Sequence, residues 1–202
     1  MVPAGFERNK TSEQQMKKKK RKKGWLPKAE YRFIYGKKVP RLCVEVIARA
    51  MSPGIDRKSK LGLMVAKRGI PPRKGYWHLP GVTLLRGESV EDAILRCARE
   101  ELGVLLKQNK DAGLLSRFLG YWEYPTKDGF GQAVSLVFEV IVKRFLKKNE
   151  LEHGPGVPED EVRVVRVLPE PYIPSQRQML ERLWTSGAVK QNGKLVFRRR
   201  GF

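Results

Sequence analysis

A helix with clear start and stop residues, running from Ser89 to Gly103, constrains the fold of this chain more than any other segment. Ser89 is a favoured N-cap residue, and Glu91 and Asp92 place negative charge in the first turn, where it stabilises a helix. Apolar residues then recur three and four positions apart, and Gly103 can end the helix in a left-handed conformation. The pattern predicts an amphipathic helix with one face packed on a core. A Gly- and Pro-rich loop precedes it, from Gly69 to Gly81.

Segments with strand patterns lie on both sides of this helix. They combine β-branched and aromatic residues with apolar runs that are bounded by turn residues. The predicted strands are Leu42 to Ala48, Leu61 to Val65, Phe118 to Tyr124, Ala133 to Val142 and Val162 to Leu168. A second helix is predicted from Pro174-Ser175 to about Trp184, and Asn192-Gly193 favours a hairpin turn near the end. This order predicts an α/β (α+β) sandwich with helices on both faces of a mixed sheet.

The chain carries a large excess of positive charge. Its 202 residues include 42 Lys and Arg against 21 Asp and Glu, a net charge of +21. Residues 1–38 hold 13 of these cations and 3 of the acids, and we expect a flexible tail there, a folded domain over 39–187, and a hairpin with a basic end over 188–202. A basic run in the tail is expected to bind RNA or another polyanion, although such runs also serve as plain solubilising tails. The run comprises Lys17, Lys18, Lys19, Lys20, Arg21, Lys22 and Lys23.

Cysteine and histidine are scarce in this chain. Cys43 and Cys97 cannot make a disulfide framework and lack the spacing of a zinc site, which favours a reducing compartment. Because His78 and His153 are the only histidines, we expect carboxylates to carry any catalysis. No apolar run approaches the roughly 20 residues that span a bilayer, and the basic run is not followed by the apolar segment of a secretory signal. We therefore expect a cytoplasmic protein without a membrane span, with the nucleus as the alternative in a eukaryote.

The residues from Gly81 to Val104 read GVTLLRGESVEDAILRCAREELGV and bring acidic residues together. Arg96 and Glu100 lie one turn apart on a helix, and Glu101 follows directly. Carboxylates gathered on one face suit Mg²⁺, with Mn²⁺ as the alternative, and such an ion would hold the oxygens of a diphosphate. The same residues could instead form a solvated face of ion pairs.

This segment resembles the Nudix box, the loop and helix motif of the Nudix hydrolases. Five residues lie at the offsets that define the box: Glu88, Arg96, Glu100, Glu101 and Gly103. Val82 replaces the first Gly of the box, and Cys97 replaces a Glu that binds metal in most members. The resemblance implies a Nudix-type α/β/α sandwich and hydrolysis of a nucleoside diphosphate linked to another group. Loss of that Glu implies a single Mg²⁺ rather than a metal cluster.

Similarity beyond the box is to one branch of the family, the GDP-mannose mannosyl hydrolases, which also lack that Glu. It covers roughly Val39 to Gly187. The matching segments include Lys67-Arg68, Gly75-Tyr76-Trp77, Pro80-Gly81 and Gly120-Tyr121-Trp122. By this resemblance the metal would be bound by the carbonyl oxygen of Gly81 and by the side chains of Glu101 and Glu161.

The same resemblance implies further roles around the diphosphate. Arg68 would neutralise its charge, and Arg96 would orient Glu100 or Glu101. The implied substrate contacts are Glu45, Arg68, Tyr76 and Trp77. The general-base His of the branch falls on Val162 here, which leaves attack at carbon or at phosphorus open. Three carboxylates remain candidates for the base: Glu161, Glu100 and Glu88.

These observations favour a Mg²⁺-dependent Nudix hydrolase that cleaves a nucleotide sugar such as GDP-mannose. One alternative is a weakly active or inactive Nudix-fold module that binds RNA or a ribonucleoprotein through its tail, because the positive charge exceeds what a small substrate needs. Another is an RNA-end pyrophosphohydrolase, which would use both the tail and the box. A homodimer is implied by the resemblance alone.

Overall fold

The computed structural model describes residues 27, 29–30, 39–51, 61–109, 113–124, 132–146, 161–184, 188–191 and 194–197. Its strands are β1 (Arg41–Ala50), β2 (Gly62–Lys67), β3 (Trp77–His78), β4 (Gly81–Thr83), β5 (Val104–Leu106), β6 (Gln108–Asn109), β7 (Gly113–Leu114), β8 (Ser116–Tyr124), β9 (Ala133–Phe145), β10 (Val162–Val165), β11 (Ala188–Gln191) and β12 (Lys194–Phe197). Its longer helices are α1 (Val90–Leu102) and α2 (Pro174–Leu183). The basic run from Lys17 to Lys23 and the Asn192-Gly193 turn lie outside the described residues, so both stay predictions.

An eight-stranded mixed sheet forms the centre of the described chain. Its order is β10-β2-β1-β9-β5, with β3 added to β2, β4 to β1 and β8 to β9. β1 runs parallel to β9, from Arg41 opposite Ala133 to Arg49 opposite Ile141. It runs antiparallel to β2 and to β4. The predicted mixed sheet is confirmed, and β1 lies in its middle.

Side chains along β1 alternate between two cores, one on each face of the sheet. Val44 and Val46 pack with the buried residues of α1, whereas Ile47 packs with those of α2. α1 contributes Ala93, Ile94, Cys97, Ala98 and Leu102, and α2 contributes Met179 and Leu180. Burying one large apolar side chain stabilises a fold by about 1.5 to 3 kcal/mol, so each helix is firmly held against the sheet. The predicted sandwich with helices on both faces is confirmed.

The ends of α1 follow the sequence prediction. The hydroxyl oxygen of Ser89 accepts a hydrogen bond from the Asp92 amide at 3.1 Å. Gly103 adopts φ 62° and ψ 41°, and its amide donates to the carbonyl oxygens of Ala98 and Arg99. Cys97 is fully buried on the face of α1 that packs against the sheet.

Two predicted segments differ from the structure. The loop from Gly69 to Gly81 contains β3, which pairs with the end of β2, and at its end β4 begins by pairing with β1. Strands of two or three residues show no periodicity, so only their distant partners define them. The strand predicted over Val162 to Leu168 ends at Val165, shortly before Pro169. In the part of the chain that the structure describes, no helix is long and apolar enough to cross a membrane.

Candidate active site

Arg96 is the centre of a hydrogen-bonded network that ties the loop to α1. Its Nε donates to one oxygen of Glu88 at 2.6 Å, and its Nη2 donates to the other at 3.0 Å. Nη2 also donates to the Thr83 carbonyl oxygen at 3.0 Å, and Nη1 lies 3.5 Å from Glu100. The Leu85 amide donates to Glu88 at 2.9 Å. Because the side chains of Arg96 and Glu88 are only 17% and 12% exposed, their bidentate ion pair holds the loop in one conformation.

This network also bears on the base role predicted for Glu88. Burial alone would raise the pKa of Glu88, but hydrogen bonds from Arg96 and Leu85 outweigh it and hold the pKa below its usual value. A carboxylate with both oxygens engaged and a lowered pKa is a poor proton acceptor. The base role of Glu88 stays a prediction, and its ion pair with Arg96 is the contact through which it positions the loop. Arg96 reaches Glu100, as expected, but its shorter hydrogen bonds go to Glu88.

The carbonyl oxygen of Gly81 lies on the outer side of β4. In the ladder with β1, the Val46 amide donates to the Pro80 carbonyl at 3.1 Å, and the Leu84 amide donates to the Leu42 carbonyl at 3.0 Å. Hydrogen-bonded pairs alternate along an antiparallel ladder, so the backbone groups of Gly81 point away from β1. Gly81 is also an exposed residue.

Two carboxylates lie near the end of α1. Glu100 and Glu101 are both partly buried there. The pKa of Cys97 is raised mainly by burial and next by the charge of Glu101, which lies one turn further along α1. Among the described residues, no group of three or more His, Cys, Asp or Glu could hold a metal ion. A single Mg²⁺ is commonly bound by one or two protein carboxylates, with substrate phosphate and water completing its coordination, so a site of that kind needs fewer protein ligands than such a group provides.

Glu45 lies on β1 directly opposite Gly81 and is 5% exposed. Its carboxylate accepts hydrogen bonds from the hydroxyl groups of Tyr124 at 2.5 Å and Ser135 at 3.0 Å, and from Gln176 Nε2 at 3.4 Å. Burial raises the pKa of Glu45 to about 7, although these hydrogen bonds act in the opposite direction. A Cβ atom at Gly81 would lie 2.8 Å from Cγ of Glu45, so the buried carboxyl requires glycine there. The substrate contact predicted for Glu45 stays a prediction, because the side chain supports Gly81 from inside the fold.

Gln176 connects α2 to the segment that leads into Gly81. Its side-chain oxygen accepts from the Leu79 amide at 2.8 Å, and its Nε2 lies 3.4 Å from the Leu79 carbonyl oxygen. The same Nε2 reaches Glu45, and Gln176 is 7% exposed. A buried amide with partners on both sides fixes its neighbours strongly, because an unpaired buried donor is costly. The start of β4 is thus held by β1 on one side and by α2 on the other.

Arg68 holds the loop between β2 and β3. Its Nε donates to the Pro72 carbonyl oxygen at 2.6 Å, and its Nη2 lies 3.5 Å from that of Pro71. The backbone amide of Arg68 donates to the Tyr76 carbonyl at 2.8 Å, and the Arg73 guanidinium lies 5.5 Å from the Tyr76 ring. The predicted contacts of Arg68 and Tyr76 with a substrate stay predictions. The geometry places both residues on one loop, which enters β3 directly.

Trp77 and Glu161 occupy one cluster at the other side of this loop. The Trp77 ring is 4% exposed, with Arg163 Cζ at 4.9 Å and Lys67 Nζ at 5.8 Å from its centroid. Glu161 accepts a hydrogen bond from Arg163 Nε at 2.5 Å and lies 3.9 Å from Lys67 Nζ. To bind a metal ion, Glu161 would have to release Arg163 and Lys67. To contact a substrate through its ring, Trp77 would need the same two side chains to move away. Both roles stay predictions.

His78 is buried and neutral. It is 6% exposed, and burial lowers its pKa to about 4. A neutral ring with Nδ1–H donating to the Leu79 carbonyl at 2.7 Å leaves Nε2 as an acceptor, and no partner for it is found in the described part of the chain. A ring with so low a pKa is a weak base, so His78 does not replace the missing histidine of the mannosyl hydrolase branch.

The sequence reasoning did not find the partners of Glu45. Tyr124, Ser135 and Gln176 lie on three different elements, and only the tertiary structure brings them together. Glu45 was the feature of the sequence that indicated such partners, because a charged residue inside an apolar strand requires buried hydrogen-bond donors.

Residues 51–183 match the family described as the NUDIX domain. An ADP-ribose pyrophosphatase of Methanocaldococcus jannaschii is 33% identical over 84 residues, which are 42% of this chain and 44% of that protein. The low-salt glycan biosynthesis protein Agl8 of Haloferax volcanii is 29% identical over 103 residues, which are 51% of this chain and 56% of that protein. The chain thus spans about half the length of these curated relatives.

The NUDIX domain of Shewanella oneidensis NrtR, crystallised with ADP ribose, superimposes with a TM-score of 0.53 at 18% identity. The superposition covers 80% of this chain and 99% of that chain, and at this identity it shows the fold alone. The family match supplies the relationship, since residues 51–183 make up more than half of the chain and include the whole loop and helix with Glu88, Arg96 and Glu101. On this evidence the chain belongs to the Nudix family.

Proposed function

We propose that this protein is a Mg²⁺- or Mn²⁺-dependent hydrolase of nucleoside diphosphate sugars. The observation that supports the proposal best is the Arg96–Glu88 ion pair, which fixes the loop so that the Gly81 carbonyl and the carboxylates of α1 keep constant positions. A rigid loop is expected where the protein atoms that bind an ion or substrate must be held in position before it binds. The rival reading as a binding module without activity does not require this preorganisation.

The residues proposed to hold the ion are Gly81, through its carbonyl oxygen, and Glu101. When bound, the ion would supply Lewis-acid polarisation of the diphosphate. Arg68 would add positive charge from the loop before β3, where neutral carbonyl groups of Pro71 and Pro72 orient its guanidinium. Arg96 and Glu88 would keep the loop in place without touching the substrate.

Glu100 is the proposed base. Of the three carboxylates that the sequence left open, Glu88 is fully engaged by Arg96, and Glu161 is ion-paired with Lys67 and Arg163. Glu100 is partly buried on α1, and the Arg96 guanidinium lies 3.5 Å from its carboxylate, a contact that can orient it towards an attacking water. Glu100 would accept a proton from the water that attacks the substrate.

Two relatives support the substrate class. An ADP-ribose pyrophosphatase and a glycan biosynthesis protein are both similar over part of this chain, and ADP-ribose and GDP-mannose are both nucleoside diphosphates joined to a sugar. The resemblance to GDP-mannose mannosyl hydrolases favours GDP-mannose as the first substrate to test. ADP-ribose is the second.

The test is product analysis by mass spectrometry in ¹⁸O-water with Mg²⁺, using GDP-mannose, ADP-ribose and a nucleoside triphosphate. We expect Glu101→Gln to lower turnover of the preferred substrate at least about 100-fold, because it removes a proposed metal ligand. Label on the free sugar would indicate attack at carbon, and label on a phosphate would indicate attack at phosphorus.

The matched control is Glu123→Gln, which removes the same charge from an exposed position on β8. Its turnover should remain within about twofold of the original, as for most surface changes. Mn²⁺ binding to the metal-free protein, followed by electron paramagnetic resonance, should weaken in the Glu101 variant alone. Absence of turnover on the whole panel, or equal turnover by both variants, would overturn the proposal.

A further inference from the structure

Five cations lie at the end of β2, on β10 and on the loop between β2 and β3, and we call this group the basic rim. Its members are Lys67, Arg68, Arg73, Lys74 and Arg163. Lys67 and Arg163 are about half exposed, and Lys74 is exposed. Trp77 brings two members of the rim together, because Lys67 pairs with it in the β2–β3 ladder and Arg163 stacks on its ring. One acid, Glu161, interacts with two members of the rim, so the six residues together carry a net charge of +4.

Aromatic rings hold some of these cations in place. Arg163 and Lys67 both lie over Trp77, at 4.9 and 5.8 Å, and Arg73 lies 5.5 Å from the Tyr76 ring. A guanidinium held over a ring loses less conformational entropy when it binds an anion than one on a free side chain. The rim is therefore a preorganised array of positive charge.

The charge of the rim exceeds what a single nucleotide requires. The rim with Glu161 carries a net charge of +4, which is part of the +11 that residues 39–202 keep after the +10 of residues 1–38 is subtracted from the total of +21. The diphosphate of a nucleotide sugar carries about two negative charges, whereas a nucleic-acid strand adds one per nucleotide. Arginine guanidinium groups also stack on unpaired bases, and Arg163 keeps half of its surface exposed above Trp77.

We propose that the basic rim binds the phosphates of single-stranded nucleic acid. The rim adjoins β3, which leads within three residues into Gly81, so the end of a bound strand would be directed towards the candidate active site. Binding of the strand is independent of catalysis, but the statement that its end reaches the site rests on the proposed function. An anionic membrane is less favoured, because Ile70 is the one strongly exposed apolar residue of the described loop from Arg68 to Tyr76, and membrane surfaces are bound through broader apolar faces.

The test compares two variants of the full chain that each lose two positive charges. The rim variant is Lys74→Gln with Arg163→Gln. The control is Lys107→Gln with Lys143→Gln, at exposed positions beside β5 and on β9, at the opposite edge of the sheet. Binding of a fluorescent single-stranded RNA of 12 nucleotides is followed by anisotropy between 50 and 300 mM KCl.

For single strands, the slope of log affinity against log salt changes by about 0.7 for each phosphate contact. We therefore expect the rim variant to lose about 1.4 from the slope, and the control to keep the original slope. Equal slopes in the two variants, or a rim variant that retains RNA binding but loses binding to phosphatidylglycerol vesicles, would overturn the proposal.

Hydrolysis of ADP-ribose and GDP-mannose by the same proteins separates this inference from the proposed function. If the rim variant loses RNA affinity while neither the original protein nor the two variants hydrolyse ADP-ribose or GDP-mannose, the binding surface is supported and the proposed function fails. If hydrolysis proceeds while both variants have the same salt slope, the proposed function is supported and the binding surface fails.

Discussion

Removing Arg96 is expected to destabilise the fold and reduce activity together. Arg96→Gln deletes two hydrogen bonds to Glu88, at 2.6 and 3.0 Å, and one to the Thr83 carbonyl at 3.0 Å. Hydrogen bonds to charged groups contribute about 1.5 to 3 kcal/mol each when buried, and partial exposure reduces their sum. We expect the free energy of unfolding to fall by about 3 kcal/mol, because Glu88 would be left as a largely buried carboxylate without its main partner.

A double-mutant cycle with Glu88→Gln isolates the ion pair. Urea unfolding of the original protein, both single variants and the double variant should give a coupling energy of about 2 kcal/mol. Arg99→Gln is the control, because Arg99 is exposed on the same helix and should change stability by less than about 1 kcal/mol. Turnover by Arg96→Gln should fall about 10- to 100-fold, as for other residues that position metal ligands. A coupling energy near zero, or a loss equal to that of the Arg99 variant, would refute the reasoning.

Three further predictions concern the residues around Gly81. The pKa of Glu45 is raised from 4.5 to about 7 on folding, so between these pH values the folded state holds a proton on Glu45 that the unfolded state has lost. The free energy of unfolding should therefore fall by about 3 kcal/mol as pH rises from 4.5 to 7. Urea unfolding across this range should show this pH dependence, and Glu45→Gln should remove it. Gly81→Ala should lower the melting temperature with a loss of about 1 to 3 kcal/mol, because its Cβ would lie 2.8 Å from Glu45; an unchanged melting temperature would contradict this contact. Gln176→Glu should speed hydrogen exchange at the Leu79 amide, because it places a second carboxylate against Glu45. Adding Glu45→Gln should restore slow exchange. If exchange stays fast in the double variant, repulsion between the two carboxylates is not the cause.

The sequence by itself determined the features that depend on local structure. α1 could be predicted with both ends, because Ser89 and Gly103 act on the backbone within one turn of their own positions. The offsets from Glu88 to Gly103 identified the family, since a loop and helix motif is contiguous in the chain. Strand patterns and helix positions predicted the mixed sandwich, because alternation and helical spacing record which face is buried.

Partners of charged residues could not be predicted in this way. Helix spacing placed Glu100 one turn from Arg96, and the resemblance implied that Arg96 would orient Glu100 or Glu101, but the fold of the loop brings Glu88 closer. In the same way, Glu139 on β9 accepts hydrogen bonds from Arg49 at 3.4 Å and from Trp184 at 3.0 Å, which follow from sheet register and the position of α2. No local pattern encodes contacts between residues so distant in the chain.

The tertiary structure also decided which predicted residues are buried. The substrate contacts of Glu45 and Trp77, which the resemblance implies, stay predictions; both side chains are almost fully buried, Glu45 beneath Gly81 and Trp77 beneath Arg163. Local chemistry determined the helix, the motif and the family, because those features are written in neighbouring residues. Burial, ion pairing and access to the site depend on how separate elements pack, and only the folded chain fixes them.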